Sequence, residues 1–123
     1  MAKILIVDDD IDFVSAVKLV LTSNGFDTAV AYSRQEGMDK FVSEKPDLVL
    51  LDVMMDEPDD GFVLAQSLKK KSKDTPILML TSVGQVTGMD FDKDSEMVPV
   101  DDFEQKPIMP NRLLEKVNQL LGN

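Results

Sequence analysis

The chain has 123 residues, 43% hydrophobic and 29% charged, with a formal net charge of -10 at pH 7. This suits one globular domain with its own core, and the acidic balance argues against direct contact with nucleic acid. Cysteine and histidine are both absent, which excludes disulfides, thiol and imidazole catalysis, and histidine-ligated zinc.

The N-terminal apolar run, Ile4 to Val7, is too short for a secretory h-region, and no run reaches transmembrane length. A cytoplasmic protein with no membrane partner is expected. Lys3 to Val7 reads as a buried strand running into Asp8-Asp9-Asp10. Asp10 can cap a helix whose apolar face is Ile11, Phe13, Ala16, Val17, Val20 and Leu21, stopped at Asn24-Gly25. Phe26 to Ala31 is a second strand. Ser33 to Glu36 has capping-box spacing and opens a second helix, with Met38, Phe41 and Val42 on its apolar side.

Leu48 to Leu51 is a continuous apolar run, read as a strand covered on both faces and ending at Asp52. After a turn-rich loop, a third helix runs from Phe62 to about Lys73. Phe62, Leu64, Ala65 and Leu68 face inward, and Lys69-Lys70-Lys71 form a solvated face. Ile77 to Leu80 is a fourth strand leading into Thr81-Ser82. Residues 83–98 have no clean period. Their carboxylates Asp90, Asp92, Asp94 and Glu96 lack the spacing of a calcium loop, so a short or irregular fourth helix is expected there. Val100 to Gln105 reads as an edge strand before Lys106-Pro107. Pro110 opens a last helix with Leu113, Leu114, Val117, Leu120 and Leu121 inside, ended by Gly122.

Alternation of strands and helices predicts an α/β fold, a three-layer, doubly wound, five-stranded parallel sheet, and its strands are supposed to run in the flavodoxin-like order 2-1-3-4-5. A single domain over 1–123 with no output domain is expected. In that order Asp8 and Asp9 lie next to Asp52, with Thr81 and Lys106 on flanking strand ends. Close carboxylate pairs repel by about 4 kcal/mol at an effective dielectric near 20, so the cluster calls for a cation. All-oxygen ligation with spare positions suits Mg2+, for which Mn2+ could substitute. Asp52 could then act as a nucleophile toward a phosphoryl group, with Lys106 neutralising it and Thr81 donating a hydrogen bond.

Four segments carry a family likeness. They are Ile4 to Asp10, Pro46 to Met55, Pro76 to Ser82, and Asp101 to Pro107. Together, in this order, they resemble the receiver domain of bacterial two-component response regulators over essentially the whole chain. The resemblance implies that Asp52 accepts phosphate from a histidine kinase or histidine phosphotransfer protein. It implies Mg2+ ligation by Asp9, Asp52 and the Met54 main-chain carbonyl, with Asp8 acting through water. It also implies that Thr81 and Phe103 form the switch that changes the surface offered to a downstream protein. Such a domain is not an enzyme beyond its own phosphorylation and slow dephosphorylation. Met54 and Val83, near the phosphate in the family pattern, are apolar and cannot orient an attacking water. Two stretches depart from the pattern: the loop from Asp52 to Asp60-Gly61 is one residue longer, and the segment between Thr81 and Lys106 is longer by a few.

Each residue also has a plainer reading. The aspartate triplet alone would be a solvated turn, Thr81 a satisfied strand-end hydroxyl, Lys106 a turn lysine and Phe103 packing. The convergence of all of them is what favours a site. Three other functions compete. A pseudo-receiver would bind a partner without phosphorylation. A haloacid-dehalogenase-like phosphatase would use Asp8-x-Asp10, but Ile11-Asp12 follow where a hydroxyl is expected, and Asp52 is left without a role. A nucleotide-binding module would need a glycine-rich loop after the first strand, which is absent.

Overall fold

The apolar runs become the inner strands of a five-stranded parallel sheet, as seen in a computed structural model describing residues 2–52, 60–82, 101–106 and 108–122. The side chains of residues 60–62, 81–82, 103, 105 and 106 lie outside that description. The elements are β1 (Lys3–Val7), α1 (Ile11–Ser23), β2 (Asp27–Ala31), α2 (Arg34–Glu44), β3 (Leu48–Asp52), α3 (Asp60–Lys71), β4 (Ile77–Ser82), β5 (Asp102–Lys106) and α4 (Pro110–Leu121). The strand order is β2-β1-β3-β4-β5, all pairs parallel, so the expected flavodoxin-like topology holds.

Alternation along the strands divides the interior into two layers. Leu5, Val7, Val49, Leu51, Ile77 and Met79 face α2 and α3, meeting Phe41, Leu64, Ala65 and Leu68. Ile4, Ile6, Leu48, Leu50, Leu78 and Leu80 face α1 and α4, meeting Val14, Val17, Leu21, Leu113 and Val117. Because both faces of the central strands are covered, their sequences carry no polar alternation.

The caps form where the sequence placed them. Asp10 Oδ1 accepts from Phe13 N at 3.1 Å, and Ser33 Oγ accepts from Glu36 N at 3.2 Å. Glu36 reaches back to Tyr32 N rather than to the Ser33 amide. Several side chains sit differently from the periodic reading. In α1, Ile11 and Ala16 are exposed and Val14 is buried instead. In α2, Val42 is exposed, and the buried positions are Gly37 and Phe41. Boundaries shift by one or two residues: β2 starts at Asp27 because Phe26 N still bonds Leu21 O at the helix exit. α3 starts at Asp60 and ends at Lys71, two residues before the expected end. The expected irregular helix over residues 83–98 lies outside the described residues. Among the described residues no helix is long and apolar enough to cross a membrane.

Gly37 marks the closest approach of α2 to the sheet. A Cβ there would lie 2.8 Å from Leu64 Cδ2 and 3.0 Å from Val7 Cγ1, both side chains being buried. Glycine inside a helix costs about 1 kcal/mol relative to alanine, so close packing is the reason for its presence. Gly37→Val should lower stability in urea by about 1–3 kcal/mol through overpacking. Gly37→Ala should lose less, its helix propensity offsetting part of the clash. Equal or greater stability of the valine variant would show that α2 can move off the sheet.

Candidate functional site

Pairing between β1 and β3 sets the site. Val7 lies opposite Leu51, so the next residues along each strand, Asp8 and Asp52, emerge side by side at the C-terminal edge. Both are buried, at 1% and 4% exposure, whereas Asp9 faces solvent. Asp8 is tied down by backbone. Its N–H donates to Ala31 O at 3.1 Å, and its Oδ1 accepts from Asp10 N at 3.0 Å. Asp10 in turn caps α1. The acidic triplet therefore divides its work: Asp10 starts a helix, Asp8 braces the turn, and Asp9 is left facing out.

One carboxylate oxygen from each of Asp8, Asp9 and Asp52 lies within 4.8 Å of the other two. Two oxygens on opposite sides of a small hard cation stand about 4 Å apart, so the three can share one ion with little adjustment. The donor set is all oxygen and anionic, which fits a hard divalent cation and not a thiophilic or imidazole-loving metal.

The flanking strands bring the other expected residues to the same edge. Asp52 pairs with Leu80, so Thr81 is the next position on β4. Thr81 pairs with Gln105, and Ser82 pairs with Lys106 on β5. Backbone register thus places Leu80 and Glu104 level with Asp52, and Thr81 and Lys106 one and two positions further along the same C-terminal edge. Phe103 on β5 pairs with Met79 on β4. The side chains of Thr81, Phe103 and Lys106, and all of Met54, lie outside the described residues.

A set of ion pairs that sequence reasoning missed holds β5 in place. Lys116 Nζ meets Asp102 Oδ2 at 2.6 Å, and Arg112 Nε donates to Glu104 Oε1 at 2.8 Å. The hydrogen bond and charge of Glu104 hold the Arg112 guanidinium above its usual pKa. At the start of the strand, Asp101 Oδ2 accepts from Ile77 N and from Lys69 Nζ, each at 2.8 Å. Lys69 also donates to Thr75 O at 2.9 Å. It is therefore a clamp between α3 and β5, which corrects its reading as part of a solvated face. The available signal was the alternation Asp102, Glu104 beside Arg112 and Lys116 one helical turn apart.

Without a cation the three carboxylates repel. Two charges 4.8 Å apart repel by roughly 1 to 3.5 kcal/mol for effective dielectrics of 80 to 20. In EDTA, Asp52→Asn should therefore raise stability by at least about 1 kcal/mol in urea. A neutral or destabilising result would show that the fold already compensates the charge of Asp52.

The matches to known proteins bear on the family and the fold. The model of the response regulator receiver domain family matches residues 4–118. The probable transcriptional regulator ycf27 of Cyanophora paradoxa is 37% identical over 97% of the chain, which spans 48% of that protein. The alkaline phosphatase synthesis transcriptional regulatory protein PhoP of Bacillus subtilis is 34% identical, with coverages of 97% and 48%. The chain thus spans about half the length of these curated relatives. Among solved structures, a CheY-like receiver domain protein from Methanospirillum hungatei superimposes with a TM-score of 0.88 at 27% identity, covering 99% of this chain and 94% of that one.

Proposed function

Because this chain belongs to the response regulator receiver domain family, we propose that it is a phosphoacceptor switch with Asp52 as the acceptor. The meeting of Asp8, Asp9 and Asp52 at one sheet edge carries this reading. Mg2+ is the cation proposed there, held by Asp9, Asp52 and the Met54 main-chain carbonyl, with Asp8 acting through water and Mn2+ as a substitute. Bound, it supplies the positive charge that lets carboxylates and a phosphoryl group share the site.

The donor is a phosphohistidine on a histidine kinase or phosphotransfer protein. An Asp52 carboxylate oxygen forms a bond to phosphorus as the P–N bond breaks, and the electron pair leaves with the donor imidazole. Lys106 pairs with the new phosphoryl charge, and the Thr81 hydroxyl turns to donate to one of its oxygens. Phe103 follows Thr81, shifting an existing equilibrium toward a surface that a partner protein recognises. The transcriptional role in the relatives' names belongs to proteins about twice as long. For a chain with a net charge of -10, a protein partner in the cytoplasm is the output proposed. No reaction on any other substrate is assigned.

Intact-mass analysis after incubation with acetyl phosphate tests the acceptor chemistry. One phosphoryl group should be added to the wild type with Mg2+, and none with EDTA or in Asp52→Asn. A folded wild type that takes up no group would turn the reading to a receiver-like module that binds its partner without phosphorylation.

The adduct should also hydrolyse slowly, because neither Met54 nor Val83 can hydrogen-bond an attacking water. Met54→Asn should speed its loss, followed by mass after removal of acetyl phosphate. Rapid loss from the wild type, unchanged in Met54→Asn, would contradict this account.

A further inference from the structure

At the opposite end of the sheet from the carboxylates, a cleft of about 420 Å³ opens between the last turns of α2 and α3. Phe41, Val42 and Pro46 line its apolar part, and Lys45, Lys71, Ser72 and Thr75 its polar part. This size and mixture, apolar walls with a few polar groups, are those of small-ligand pockets. Val42 leaves 54% of its surface exposed there.

The charge around the cleft is locally reversed from that of the chain. Lys45 and Lys71 make no ion pair or side-chain hydrogen bond among the described residues. Of the neighbouring carboxylates, Glu44 pairs with Lys3 Nζ at 3.0 Å and Asp47 accepts from Lys3 N at 2.8 Å, while Asp74 precedes Thr75 on the polar side. Ser72 Oγ and Thr75 Oγ1 lie 2.9 Å apart. Whichever donates to the other, one proton of the pair remains for a ligand.

Lysines near helix C-termini complement the helix dipole, which accounts for the charges but not for the open apolar floor. Nor does it account for Lys45 at φ 49, ψ 61, a left-handed conformation in which glycine would fit without steric cost. We propose that this cleft binds a small organic anion with an apolar body, its charge held by Lys45, Lys71 and the hydroxyl pair.

The probe is anilinonaphthalene sulfonate, titrated into the nitrogen-labelled, unphosphorylated chain in EDTA, with neutral phenylnaphthylamine as control. Saturable amide shifts should concentrate in residues 41–45 and 71–75. Lys45→Gly and Lys71→Glu should each weaken binding about fivefold or more, the value of one ion pair near water. Lys45→Gly should keep or raise the melting temperature, separating binding from folding. The proposal would be overturned by equal binding of the neutral dye, by no effect of either substitution, or by shifts centred on the groove of Phe13, Val17 and Leu113. Tighter binding of an acidic, leucine-bearing peptide would overturn it in favour of a protein-docking surface.

Discussion

Burying a carboxylate is costly unless the surroundings answer its charge, and among the described residues two are buried, Asp8 and Asp52, at adjoining strand ends. Much of the local architecture serves that placement. The backbone N–H of Asp10 turns back to Asp8, and the same turn launches α1. β4 and β5 lie on the Asp52 side of the sheet, so their C-terminal ends, with Thr81 and Lys106, complete the edge. Asp52 is held within β3, and Asp8, in the turn that follows β1, is held by its backbone bond to Ala31 and by the Asp10 amide. Three carboxylate oxygens that could share one cation are thereby gathered at a single edge of the sheet.

Much of this was legible because continuous apolar runs are hard to read in more than one way. Ile4 to Val7, Leu48 to Leu51 and Ile77 to Leu80 had the length and composition of buried parallel strands, and each is buried. The caps at Asp10 and Ser33 were equally clear, since one side-chain oxygen meeting one orphan amide is a local matter. The carboxylate cluster followed once strand order was supposed. That order came from the fold class and the family likeness, because periodicity alone does not say which strands are neighbours.

What escaped the sequence depended on distant partners. Ile11 and Val42 fit a helical apolar face by spacing, yet the neighbouring elements leave both exposed. Gly37 read as an unremarked helix residue, because its reason is the approach of Leu64 and Val7 from elsewhere in the chain. The Lys69–Asp101 clamp joins residues 32 positions apart, and a lysine run carries no sign of which member will be bound. Helix α3 began two residues early because Asp60-Gly61 looked like the end of a loop, whereas both belong to the first turn.

The two-sided burial of β1 has a further consequence for how its alignment is chosen. In a strand with one wet face, a slip by one residue exposes every apolar side chain, and that penalty fixes the alignment. Here Ile4 and Ile6 face one layer and Leu5 and Val7 the other, all fully buried. A slip would exchange one set of aliphatic side chains for another, and hydrophobicity would barely object. The objection comes from the strand's ends, where Lys3 would be drawn in among them or Asp8, already buried, would lose its bonds to Ala31 and Asp10. The charges that bracket the run therefore act as stops, and the aspartate that joins the carboxylate cluster also tells β1 where to halt.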